Sequence, residues 1–471
     1  ICALVACLNA ASWSFITPPF QVPDEPDHFA YVKQLAETGT LPSSSAEIFS
    51  TEERLALVGL HYPQIRLRPA TRAIFSAAEQ SSLEKELQAL RRLPEKGSPN
   101  AGFATSEPPL YYALESVPYI LASGGTLLDR LQLMRLLSTL MAGLTAMFTF
   151  LFLRETLART SWAWTVGALA VALTPLLGFM SGAVNPDAML FAVSAALFYC
   201  LARAFRRGLT PRSAIATGLV IAVGFLTKLN FAGLAPGAFL ALAVLALRGA
   251  RSSGRVALRA PAIAAAIGCV PVVLFFIASS VSAGPTFGIV ADTISAGHGS
   301  VLAEANYIWQ LYLPRLPGTV DDFPGLFTTS QIWFDGYVGR LGWLDTFFPN
   351  WVYTLALVAA GLIAGLCARA LLAGRTALRE RVPELVVYAL MALGLLLLVG
   401  ADSYLAFPSK LAEYGQARYL LPLLPLLGTV LALAARGAGR RWGPATGTLI
   451  VVLFLAHDIF SQLQVVARYY G

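Results

Sequence analysis

With 471 residues, 56% of them hydrophobic and only 13% charged, and a mean hydropathy of +0.64, the chain is too apolar for a soluble protein of its length and reads as a polytopic membrane protein. The net charge of +7 does not point to nucleic acid, because in a membrane protein the placement of the positive residues counts for more than their sum. All five cysteines fall inside apolar stretches, which argues against a disulfide framework and a zinc site.

Residues 1–16 are expected to be a membrane span cut short at its N-terminus rather than a cleaved signal peptide, since no small-residue cleavage pattern follows Ile16. Residues 18–39 then read PPFQVPDEPDHFAYVKQLAETG. Pro18, Pro19, Pro23 and Pro26 hold the entry extended, and Glu25-Pro26 fits a helix start with Glu25 as N-cap and Pro26 at the first helical position. The helix carries His28, Tyr31, Val32 and Leu35 on one face and ends at Gly39. Asp24, Glu25 and Asp27 therefore crowd its positive end, an arrangement open to use as a base, as a divalent-metal site or as a cap.

The rest of the first loop, residues 17–130, reads as a small folded cap with helices over 51–60 and 82–93. Residues 108–123 are apolar but short, and carry Glu115 and Pro118, so an interfacial or re-entrant helix is expected there. Further apolar runs near 131–153, 161–181, 185–203, 213–228, 231–247, 260–282, 350–368, 384–400, 419–435 and 443–462 bring the candidate spans to eleven. Between alternate spans lie compact arginine groups, at 154–159, 203–212, 248–259, 369–381 and 436–441. The positive-inside rule makes these five loops cytoplasmic and sends every long loop to the opposite side, including residues 17–130 and the second large loop, 283–349.

Five polar groups then lie at the outer surface: Asp24, Glu25 and His28; Glu107 with Tyr111 and Tyr112; Asn185 and Asp187; Lys228; and Lys410 with Gln416 and Arg418. Each alone has a plain reading as a helix cap or a snorkelling cation. Together, acids and cations at one depth beneath a folded cap suit a phosphate-bearing lipid headgroup and the activation of a hydroxyl beside it. Aromatic residues of loop 283–349 read as interface belt, with sugar stacking as the alternative for a few of them. The rival function is a transporter or flippase of a lipid-linked saccharide, which would favour charges near the midplane instead.

PPFQVPDEPDHF, EPPLYY, the NPD of 185–187, YIWQLYLPRLP with GRLGWLDT, and EYGQARYLLPLLPL resemble, in order and over nearly the whole chain, the signatures of a bacterial membrane family called domain of unknown function 2142. That family is similar in layout to the GT-C glycosyltransferases, with many spans, an acidic pair in the first outer loop and lipid-phosphate sugars as donors. The resemblance implies a single GT-C-like membrane domain over 1–471, in the bacterial inner membrane, acting on its extracytoplasmic face. It implies a polyprenyl-phosphate sugar as donor and an envelope glycan or glycolipid as acceptor, with inversion. Asp24 is then the base, with Glu25 as the alternative; Glu25 and His28 orient the acceptor or hold a divalent metal, Glu107 takes the role of a second carboxylate, and Lys228, Lys410 and Arg418 receive the lipid phosphate.

Overall fold

Each of the eleven apolar stretches forms helix in the computed structural model, which describes residues 1–42, 47–71, 76–90, 100–157, 160–281, 300–321, 323, 327–406 and 415–471. α1 (Cys2–Ile16) leads through the proline-rich turn into α2 (Glu25–Thr38). The first loop continues with α3 (Thr51–Gly59), α4 (Tyr62–Ile65), α5 (Ala77–Leu90) and, after a tight turn at Gly102–Ser106, α6 (Leu110–Leu121). Then come α7 (Leu127–Thr156), α8 (Ser161–Ala172), α9 (Pro175–Ser181), α10 (Asp187–Arg207) and α11 (Pro211–Thr227). The remaining apolar helices are Leu229–Arg251, Arg259–Ser280, Asn350–Ala373, Val382–Leu405, Ala417–Gly437 and Gly439–Tyr470.

Among the described residues, eight helices are long and apolar enough to cross a bilayer, and nine if α8 and α9 form one broken span. α1 and α11, with 15 and 17 residues, fall short of the roughly 20 that a bilayer asks for. The protein is an all-α polytopic membrane protein; eleven is the number of apolar helical stretches, and eight or nine the number that, among the described residues, are long and apolar enough to cross. The break in 161–181 follows from Pro175, which lacks an N–H and pushes Thr174 to ψ 117°, bending the segment by 55°. The carbonyls left over there find donors, Thr174 Oγ1 to Ala170 O at 3.1 Å and Asn9 Nδ2 to Ala172 O at 3.2 Å. Asn9 also joins Trp13 and Gln462 in donating to the carboxylate of Asp458, at 3.2, 3.0 and 2.9 Å, which ties the first apolar helix to the last.

The cap is folded as expected, with shifted boundaries. α3 starts on a capping box between Ser50 and Glu53. α5 begins at Ala77 rather than near 82 because Ser76 and Glu79 exchange capping bonds of 3.2 Å, and residues 91–93 of that expected helix lie outside the described residues. α2 begins one residue earlier than its proline suggested: Asp24 is the N-cap, Glu25 the first helical residue, and Gly39 ends the helix in the left-handed region at φ 68°. His28, Tyr31 and Val32 are buried, but so is Lys33, whose Nζ donates to Ser50 Oγ at 2.9 Å and pairs with Glu52 at 3.6 Å. The cap thus covers the face of α2 that would otherwise be wet. α6 is too short to cross, and it exposes Leu114, Val117, Ile120 and Leu121 while burying Tyr111, Tyr112, Glu115 and Tyr119.

The helix α7 relates the two ends of the bundle. Near its start, Arg135 faces the proline-rich turn. Near its end, Glu155 accepts from Arg207 at 2.5 Å and Arg381 donates to Thr156 O at 2.5 Å. These two places are separated by about 30 Å of helix at 1.5 Å per residue, the thickness of a bilayer's hydrocarbon.

Candidate functional site

Prolines make the turn between α1 and α2 stiff, and Arg135 makes it specific. The Arg135 guanidinium donates to Ser14 O, Thr17 O and Pro18 O at 3.1, 2.8 and 3.1 Å, and forks onto Glu25, Nε to Oε1 at 2.7 Å and Nη2 to Oε2 at 2.6 Å. Glu25 also accepts from the Phe20 N–H at 2.8 Å and the Val184 N–H at 3.1 Å. Both partners are fully buried. Between these anchors Phe20 and Asp24 adopt left-handed backbone, at φ 64° and 70°, a conformation that disfavours a bulky side chain and that aspartate tolerates better than most. Asp24 makes no capping bond to its own helix, and its carboxylate turns instead to Arg418, to which it is bonded through Nη2.

Around that bond gathers a cluster drawn from five remote parts of the chain. Asp187, opening α10, sits at the positive end of its helix, its N–H donating to Asn185 Oδ1 at 2.9 Å. Lys228, at the end of α11, donates to Asp187 Oδ1 at 2.8 Å and lies 3.8 Å from Glu107 Oε1. Arg418 Nε lies 3.7 Å from Asp187 Oδ2, so Asp187 bridges the two cations. Lys228 immediately precedes the tight 3-10 turn Leu229–Leu234 and Arg418 is the second residue of the 3-10 turn Ala417–Leu423, each turn opening the next apolar helix. Arg418 is 3% exposed, and its Nε and Nη1 have no hydrogen-bond partner among the described residues. Asp24 is the most open member, with 18% of its side chain exposed.

Aromatic groups wall the cluster. His28 Nδ1 shares a 2.9 Å hydrogen bond with Tyr112 Oη, and Tyr112 stacks on Tyr31 at 3.7 Å. Tyr111, one residue away, points elsewhere: its hydroxyl meets Ser138 Oγ at 2.8 Å, and Ser138 donates to Glu115. On the other side of Arg418 opens a cleft lined by Leu176, Phe179, Ile332, Gln416 and Arg340. The Arg340 guanidinium lies 3.8 Å over the Phe327 ring.

Of the residues singled out from the sequence, Asp24, Glu107, Asp187, Lys228 and Arg418 come together, with His28 and Tyr112 beside them. Glu25, paired with Asp24 as a candidate base, is instead enclosed by Arg135 and two backbone N–H groups and faces away from the cluster's cations. Asn185 braces the turn, its Nδ2 donating to Pro23 O at 3.3 Å. Lys410 lies outside the described residues. A divalent ion shared by Asp24 and Glu25 does not fit the donor set, because the two carboxylates turn to different arginines and His28 is engaged by Tyr112. No group of three or more His, Cys, Asp or Glu side chains suited to a metal occurs among the described residues. Arg135 was missed, although an arginine inside an apolar stretch is itself a signal.

The cluster sets a pH dependence of opposite signs on two neighbouring groups. Burial, with the Lys228 ammonium as the next cause, holds the His28 imidazole well below its ordinary 6.5. Burial pushes the Glu107 carboxyl above its ordinary 4.5, against the pull of Lys228. As pH falls below about 6.5, the unfolded chain takes a proton on His28 that the folded chain refuses, and stability is lost. Glu107 works the other way: its contribution is complete below about 4.5 and is lost as pH rises through its raised folded value. The melting temperature of the wild type should therefore fall on acidification from pH 6.5, and His28→Gln should lose that fall or reverse it. An unchanged slope in the variant would show that His28 is not the responsible group.

No curated protein matches the chain in sequence. A family model described as a predicted membrane protein, domain of unknown function 2142, covers residues 7–427, and the chain belongs to that family.

Proposed function

We propose that the protein is an inverting glycosyltransferase that moves a sugar from a polyprenyl-phosphate donor to a cell-envelope glycan or glycolipid on the extracytoplasmic face of the bacterial inner membrane. The convergence of Asp24, Glu107, Asp187, Lys228 and Arg418 at one end of the bundle carries this assignment. The arginines paired with Glu155 lie at the far end of α7, so the positive-inside rule supports an outward-facing cluster.

The chemistry follows from the groups present. Asp24 takes the proton of an acceptor hydroxyl, whose oxygen bonds to the anomeric carbon as the bond from that carbon to the phosphate oxygen breaks. The electron pair leaves on the lipid phosphate. Arg418, whose Nε and Nη1 have no hydrogen-bond partner among the described residues, and Lys228 receive that charge in a water-poor site. An incoming phosphate competes with Asp24 for Arg418, which frees the Asp24 carboxylate to meet the acceptor hydroxyl.

Mass spectrometry after deletion of the gene tests the reading. Polyprenyl-phosphate sugar should accumulate while one sugar disappears from an envelope glycan or glycolipid. If both pools match the wild type, the transferase reading fails; if reconstituted protein carries a lipid-linked sugar across vesicles and forms no glycosidic product, transport replaces it.

A further inference from the structure

We infer that Arg135 is a positioning residue of this site, one that acts through Glu25 to hold Asp24 in the left-handed conformation that aims its carboxylate at the cluster. The inference rests on the proposed transfer for its kinetic meaning and on geometry for its substance. A buried arginine near the start of a membrane helix has a bland explanation as an anchor between helices. The bond pattern of Arg135 is narrower than that. Its guanidinium donates to the carbonyl of Ser14 in the last turn of α1, to those of Thr17 and Pro18 just beyond it, and to both oxygens of Glu25. Glu25 in turn holds the N–H of Phe20, at the first left-handed residue, and the N–H of Val184, in the turn that carries Asn185 and Asp187.

Three pieces of the site are therefore indexed to one ion pair. The end of α1 and the start of α2 are fixed at a set distance, which leaves the intervening residues 17–24 little choice but a tight turn with two left-handed members. The 182–187 turn is fixed against the same carboxylate, which sets Asp187, and through it Lys228 and Arg418, relative to Asp24. Asp24 immediately precedes Glu25 in the chain, so a small shift of Glu25 moves the proposed base directly. Arginine is required for this: five donors in a rigid fork serve three carbonyls and a carboxylate at once, and a lysine ammonium has three donors and no fork.

Arg135→Lys in the full-length protein is the test, with Glu25→Gln as the gentler second variant. Turnover should fall by about 100-fold, the scale of a misplacement near 1 Å, while the KM for a polyprenyl-phosphate sugar stays within about threefold, since its cationic contacts remain. Amide exchange should speed up in the peptide spanning residues 17–25 and stay slow in α10. Wild-type turnover in Arg135→Lys despite a loosened turn overturns the inference, as does exchange that speeds up across α10 together with a lowered melting temperature, which is the mark of an ordinary structural anchor. If Arg135→Lys does not fold, Glu25→Gln decides by the same two readouts. Should the wild type transfer nothing from any polyprenyl-phosphate sugar, the transferase reading falls and exchange alone decides: loss of protection confined to 17–25 upholds Arg135 as the residue that sets Asp24, and unchanged protection overturns it.

Discussion

Asp24→Asn is expected to lower turnover by about 10²–10⁴-fold, the usual contribution of a general base, without unfolding the protein. The asparagine keeps the shape and tolerates the left-handed backbone at φ 70°, so the turn held by Arg135 and Glu25 survives. Arg418 loses one partner and keeps Asp187 at 3.7 Å. Asp24 is the most open acid of the cluster but its partner Arg418 is buried, so the loss of the ion pair should lower the melting temperature without preventing folding. Donor affinity gives a second, less obvious readout. In the wild type the lipid phosphate must draw Arg418 away from Asp24; in the variant it has no competitor, so the donor KM should stay level or fall while turnover collapses. Turnover within about tenfold of wild type would remove Asp24 from the role of base, and a sharply raised donor KM would mean that its carboxylate helps to hold the donor instead.

What the sequence made legible was whatever depends on neighbours along the chain. Eleven apolar stretches are eleven helical regions, and the proline and glycine that bracket α2 do start and stop it within a residue. Asp24, Glu107, Asp187, Lys228 and Arg418, which the alternation of arginine-rich loops assigns to one face, meet at one end of the bundle. What stayed hidden was which member of each group does what. Asp24 and Glu25 are adjacent, yet one meets Arg418, 394 residues away, and the other meets Arg135, 110 residues away. Nothing local distinguishes them; the left-handed backbone at Asp24 is what splits their directions. Tyr111 and Tyr112 diverge for a simpler reason, since consecutive side chains on a helix point about 100° apart at 3.6 residues per turn, and only Tyr112 faces His28.

Arg418→Gln is expected to reduce turnover by about 10²–10³-fold, the scale for losing a preorganised donor to developing charge, and to raise the donor KM as well. Both effects follow from its position: it is the cation that touches Asp24, Asp187 and the edge of the cleft, and its buried Nε and Nη1 have no hydrogen-bond partner among the described residues. Lys228→Gln should behave differently, because Lys228 is the cation that keeps Asp187 and Glu107 together in a buried site. Burial opposes the Lys228 charge, but those two acids outweigh it and hold the ammonium above its ordinary value. Its removal leaves Asp187, 1% exposed, facing a second carboxyl, at a cost of about 3–5 kcal/mol for a broken buried pair. The two variants therefore separate in the readout that moves most: kinetics for Arg418→Gln, melting temperature for Lys228→Gln. Arg418→Lys refines the contrast. A lysine there restores the charge and loses the fork, so it should recover part of the turnover and less of the donor KM, since recognition of a phosphate by two parallel N–H groups needs the planar guanidinium. Wild-type turnover and donor KM in Arg418→Gln would place the phosphate elsewhere, and the cluster would then be a structural knot that joins five segments at one end of the bundle.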